Sequence, residues 1–240
     1  MRFFLIATIL SLTIPCDLGL AHSTPIDDAK AAAHALEARY QGAKTLKAEF
    51  FEKYSDGSGG VTAESGTVYF SRPGRMRWEY ESPEKKLFLV DGANAWFYIP
   101  ADHTASRAKM KESSDWRTPL SLLVGKANLA KICRDIQVVK GGESAQSADA
   151  GSLPAPPGDT ILRCIPRDAP AKDTSQQVLL ETDSQAYLVR VVIHEPGNVE
   201  TEFRFGDWEE NIPLPESEFH FQPPEGVSIV NEDSLAQQVH

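Results

Sequence analysis

The sequence predicts a mainly β domain with some α: a large, strongly curved antiparallel sheet on which about two helices pack. Three observations carry this. Apolar residues alternate with polar ones over most of the chain, as in half-buried strands. The strand candidates follow one another across short turn signals, which leaves no room for parallel crossovers. Two segments break the two-residue period, one with helical spacing and one with helix-end signals.

The first segment of the chain reads as a targeting signal. Arg2 supplies a positive start, FFLIATILSLTI is apolar but short for a bilayer span, and Pro15 breaks it. Gly19 and Ala21 place small residues at the -3 and -1 positions, so residues 1–21 are expected to be removed, with His22 starting the mature chain. Cys16 follows Ile14-Pro15, a poor approach to a lipidated cysteine, so simple export is the reading preferred over a lipid anchor. Residues 22–240 then form a single domain, since neither a repeat nor a linker divides them.

A helix is expected from Asp28 to about Ala43, where Ala29, Ala32, Ala33, Leu36 and Tyr40 recur at helical spacing. Asp28 can cap its start and Gly42 marks its end. Strands are expected over 45–54, 65–70, 75–80, 86–91 and 95–100, with turns at Asp56-Gly57 to Gly60, Pro73-Gly74, Pro83 and Asp91-Gly92. A two-turn helix at 118–126 follows, with Thr118 as N-cap, Pro119 in the first turn and Gly125 beyond its end. Leu120, Leu122, Leu123 and Val124 make it apolar on nearly every side, so it has to lie against something greasy. Strands resume over 131–140 and 159–166, separated by a Pro/Gly-rich loop at 141–158, and continue over 177–183, 186–195 and 199–208. One or two short strands end the chain near residue 230.

The formal net charge of -10 over 240 residues argues against nucleic acid and bare anionic membrane as partners. Cys133 and Cys164 are the two cysteines of the exported chain. In an oxidising compartment that even count favours a disulfide, with two separate buried thiols as the alternative. The sequence carries no GxSxG, P-loop, GxGxxG or HExxH pattern, and the six histidines stand at no ligand spacing. No metal and no cofactor is expected. Glu79 and His194-Glu195 are the polar groups on which a hydrolase could be built; solvated strand faces explain them as well.

The chain is instead rich in large strand residues: Phe50, Phe51, Phe70, Trp78, Phe88, Trp96, Phe97, Phe203, Phe205, Phe219 and Phe221. A curved sheet lined by such groups can enclose a cavity, although each ring alone could simply fill a core. The apolar segment at Leu120–Val124 favours a lid over a barrel mouth.

GTVYFSRPGRMRWEYESP, LVDGANAWFYIP, the TPL helix and the terminal FHFQPPEGV together resemble LolA, the periplasmic carrier family of outer-membrane lipoproteins, from about residue 30 to 231. The resemblance implies a LolA/LolB-like unclosed antiparallel β-barrel covered by a few helices, with a hydrophobic cavity for acyl chains and no catalysis. The candidate lining is Phe50, Val68, Phe70, Met76, Trp78, Leu89, Phe97, Leu120, Leu122 and Leu123. The arginine of the R-P motif, here Arg72, would latch the helical lid through backbone carbonyls, while Arg75 and Arg77 are expected to face solvent. The implied partners are acylated lipoproteins as cargo, an inner-membrane ABC lipoprotein-releasing transporter and an outer-membrane acceptor, met by a monomer. A lipid- or glycolipid-sensing domain that signals through a partner protein is the second reading, and a periplasmic hydrolase using Glu79 or His194 the third. Against the family pattern, the loop at 141–158 is long and the C-terminal tail short.

Overall fold

The computed structural model describes residues 25–109, 122–123, 125, 128–139, 156–167, 169–170 and 176–231. The expected signal peptide, Leu120, most of the 118–126 helix and most of the 141–158 loop lie outside these residues.

Helix α1 (Pro25–Gln41) uses the predicted stripe: Ala29, Ala33, Leu36 and Tyr40 are all buried. Twelve strands then form one sheet among the described residues. In chain order they are β1 (Thr45–Ser55), β2 (Val61–Ser71), β3 (Arg75–Ser82), β4 (Lys86–Val90), β5 (Asn94–Ile99), β6 (Thr104–Lys109), β7 (Cys133–Val139), β8 (Thr160–Pro166), β9 (Gln177–Thr182), β10 (Leu188–Glu195), β11 (Val199–Glu210) and β12 (Ser228–Asn231). Helix α2 (Leu129–Ile132) is a single turn ahead of β7. The spatial order β12-β6-β5-β4-β3-β2-β1-β11-β10-β9-β8-β7 leaves β12 and β7 as ends that do not pair, so the curved sheet is an unclosed barrel.

Nearly all pairings are antiparallel, as the short turns require. The exception is β12, which runs parallel to β6 after a long return across the sheet. Strand β6, TASRAK, escapes the sequence pattern, because its inward residues, Ser106 and Ala108, are too polar or too small to give an apolar signal. The start of the expected 131–140 strand is instead α2. Asn128 caps it, its side chain accepting from Lys131 N at 3.0 Å, and Glu37 of α1 accepts from Leu129 N at 2.7 Å.

The register sorts side chains onto two faces. On the inner face, Trp78 aligns with Val68 of β2 and Phe88 of β4, and Phe88 aligns with Phe97 of β5. One residue along, Arg77, Leu89 and Trp96 align on the outer face. Helix α1 packs on the inner side of β7 and β8, closing the far end of the concave core.

Cys133 and Cys164 are joined by a disulfide with Cα atoms 5.5 Å apart. Both are buried in the main core, and the bridge ties edge strand β7 and its leading turn to β8. In the chain-entropy account a loop of this size contributes ~3–4 kcal/mol. Replacing both cysteines with serine is expected to lower urea-measured stability by about that amount, and the oxidised protein should take up iodoacetamide only after reduction.

Candidate functional site

The concave face is the candidate site. Trp78 stands at its middle, with ring centroids of Phe50, Phe203, Phe205 and Phe70 at 4.7, 5.4, 6.1 and 6.3 Å. Gly66 lies between Phe50 and Tyr80 in the pairing, and their rings meet at 5.0 Å. A Cβ on Gly66 would lie 1.9 Å from the Glu79 carbonyl oxygen, so no other residue allows this close approach of β2 and β3. Among the described residues, these aromatic rings pack against one another at the middle of the concave face.

Of the expected lining, Phe50, Val68, Phe70, Met76, Trp78, Phe97, Leu122 and Leu123 are buried in one cluster. Leu89 is a correction. It is fully buried, but on the opposite face from Phe88 and Val90, in the row of Arg77 and Trp96. The C-terminal segment lies on the same face, with Phe221 packed on the neighbouring Trp96. Sequence reasoning also missed an inner polar pair: Tyr80 donates to the buried Glu52 carboxylate at 2.8 Å. The alternation of Phe50 with Glu52 was its signal.

Two side chains of α1 fasten its last turn to the sheet. The Tyr40 hydroxyl accepts from Leu188 N at 2.9 Å, and the Tyr40 ring packs against Trp208 at 5.4 Å. Burial pushes the Tyr40 phenol well above its ordinary range, so it stays protonated. Arg39 pairs with Glu210 at 2.5 Å and lies over the Tyr187 ring at 3.8 Å.

Arg72, in the β2–β3 turn, donates from Nη1 to the Tyr40 carbonyl. Carbonyls of a last helical turn lack helical partners and favour a cation. On its other side the guanidinium packs on Gly125, where a Cβ would come within 2.5 Å of Nε. Gly125, at φ +72°, closes a turn by donating to the Leu122 carbonyl at 3.1 Å. Arg72 thus lies between the end of α1 and the segment carrying Leu122 and Leu123. Burial draws its pKa below the usual guanidinium value, which leaves it charged at neutral pH.

Arg75 and Arg77 do not face open solvent as expected. Arg77 donates to Glu79 at 2.6 Å and to the Glu218 carbonyl at 2.9 Å, while Arg75 reaches Glu216 at 3.2 Å. They hold the C-terminal strap, whose Phe221 packs on Trp96 and Tyr98 at 5.3 and 5.2 Å. An open cleft of 930 Å³ lies beside it, lined by Arg77, Glu79, Lys86, Tyr98, His220 and Phe221 among others. Its mixed charges and exposure suit it poorly to a hydrocarbon chain.

Glu79 and His194, the candidate hydrolase groups, are both on the outer face. Glu79 pairs with Arg77, and His194 Nδ1 lies 3.3 Å from Glu200. Burial draws the His194 pKa down, and Glu200 opposes that shift. Four strand spacings, roughly 19 Å along the sheet, separate their strands.

Residues 41–149 match the family model for outer membrane lipoprotein carrier protein LolA. An outer-membrane lipoprotein carrier protein of Nitrosospira multiformis is 26% identical over 200 residues, covering 82% of this chain and 87% of that one. Another, from Dechloromonas aromatica, is 28% identical over 234 residues and covers 97% and 100%. The crystal structure of an uncharacterized conserved protein from Thermus thermophilus shares the fold, with a TM-score of 0.51 at 12% identity over 85% of this chain and 99% of that one. The stretch matched by the LolA model contains β1 to β6, Arg72, Phe50, Phe70 and Trp78, while Phe203 and Phe205 lie beyond it.

The strap gives a direct check. Phe221→Ala removes two aromatic contacts of roughly 0.5–1.5 kcal/mol each beyond area burial. Amide exchange should then speed up across 216–231 in this variant and in Arg77→Leu, with β1 and β11 unchanged.

Proposed function

We propose that this protein is a periplasmic chaperone that shelters the acyl chains of lipoproteins against its concave face and carries them from the inner to the outer membrane. The observation that carries the reading is the aromatic inner face of an unclosed sheet, covered by α1 and by Leu122 and Leu123, with Arg72 at the junction of both covers. The match of residues 41–149 to the LolA model and the naming of the similar proteins support it. On this reading a signal peptide exports the chain, and the mature protein works as a monomer. It takes acylated cargo from an inner-membrane ABC transporter and passes it to an outer-membrane acceptor.

The energetics demand such a shelter. Each acyl CH₂ exposed to water costs ~0.8 kcal/mol, so an acylated protein does not cross an aqueous space unaided. The carrier must also let go. An empty cavity that closes on its own rings, held shut by Arg72, offsets part of the binding energy and returns it at release.

Native mass spectrometry of protein recovered from the periplasm should find acylated lipoprotein bound. In vitro a fluorescent fatty-acyl probe should bind. Leu122→Asp should weaken it roughly tenfold or more, the scale of one buried leucine, while leaving the β circular-dichroism signal intact. A wild-type protein that binds neither probe nor lipoprotein would sink the reading.

Arg72→Leu should fold and load cargo but release it roughly ten- to a hundredfold more slowly, because a charged hydrogen bond of ~1.5–3 kcal/mol no longer favours the closed state. Lys47→Ala, which breaks a surface pair with Glu209, is the control expected to behave as wild type. Release from preloaded carrier at the same rate in both variants would remove Arg72 from the latch role.

A further inference from the structure

Among the described residues, the indole Nε1 of Trp78 is a buried donor without an acceptor. Trp78 is only 2% exposed, in the middle of the concave face. A donor in that position costs free energy unless something answers it, and tryptophans in cores are ordinarily placed so that the N–H finds a partner. Two other tryptophans of this chain follow that rule. Trp208 donates to the Leu188 carbonyl at 2.9 Å, and Trp96 reaches the Asp91 carboxylate at 3.4 Å.

The rings of Phe50, Phe70, Phe203 and Phe205 that pack on Trp78 offer it no lone pair, and the nearest, Phe50, meets it edge-on at 4.7 Å. A pure hydrocarbon entering this face would leave the N–H as it is. An acyl chain differs from a hydrocarbon in one respect: its linkage carries a carbonyl oxygen, a strong acceptor. The polar end of the inner face lies close by, since Tyr80, two residues along β3 from Trp78, donates to Glu52. A chain inserted with its linkage toward that end brings its carbonyl to the level of the indole.

We infer that the Trp78 N–H donates to the carbonyl oxygen of an acyl ester or amide in the bound chain, so that the concave face selects acyl groups over plain hydrocarbon of equal length. This deepens the acyl-binding reading above and rests on it. Loading then satisfies a donor that the empty closed state leaves unanswered. Trp78 is a specificity residue on this account, and its ring is also part of the core.

The experiment compares chain-matched lipids that differ in the carbonyl alone. Dipalmitoylglycerol and its diether counterpart, di-O-hexadecylglycerol, compete for a fluorescent fatty-acyl probe on the full-length mature protein. The wild type should prefer the diester about three- to tenfold, the scale of one net hydrogen bond. Trp78→Phe keeps an aromatic ring and loses the donor, and should bind both lipids alike. Should that variant fail to fold, benzothienylalanine at position 78 keeps the indole shape with sulfur in place of N–H. No ester preference in the wild type, or a preference kept by either replacement, overturns the inference while leaving acyl binding intact. If neither lipid competes, the acyl-binding reading itself falls and takes this inference with it.

Discussion

The last turn of α1 is the point on which the closed concave face depends. Arg72 arrives from the β2–β3 turn and bonds the Tyr40 carbonyl. The Tyr40 hydroxyl meets the first residue of β10, and Arg39 meets Glu210 at the end of β11. Three separate parts of one curved sheet therefore converge on a single helical turn. A helix with a stripe made mostly of alanine buries little area and could not hold its place by apolar contact alone. Polar contacts at its end fix it, and such contacts can be exchanged for water at small net cost when the helix lifts.

The same trade governs the interior. The rings of Phe50, Phe70, Phe203 and Phe205 pack against Trp78, so on the proposed reading a chain that reaches this part of the face has to part them. That lowers affinity by the free energy of the contacts broken, and it keeps apolar surface away from water when no cargo is present. On the proposed reading, ring packing and the Arg72 contact act in the same direction, against retention of cargo.

Much of this is legible in the sequence, and the reasons for the misses are physical. Strands β1 and β3 to β5 carry large alternating residues, and their period survives any context. Strand β6 carries alanines at buried positions and gives almost no pattern, so it escapes notice. Leu89 falls on the wrong face in the sequence reading because alternation distinguishes two faces without saying which is inner. The usual assumption, that one face is solvated, fails where the C-terminal strap covers β3 to β5. Arg75 and Arg77 mislead for the same reason: alternation puts them outside, and only the return of a segment 141 residues further along the chain explains their partners. Arg72 is found through a motif, while its contact with Gly125 needs the tertiary structure.

The strap changes how the sheet opens. A sheet packed on one side can flatten by moving whatever lies on that side. Here β3 to β5 carry the aromatic interior on one face and the strap on the other, where Phe221 packs on Trp96 and Tyr98 and Arg77 bonds the Glu218 carbonyl. Flattening this half would break contacts on both faces, which raises its cost and makes it the rigid wall. In the other half, α1 lies across β7 and β8, and the disulfide ties those strands to each other rather than to the wall. On the proposed reading, Arg72 and Tyr40 lie between the strap-backed strands and the part that carries α1, so one hydrogen-bonded arginine can bias how the two sit.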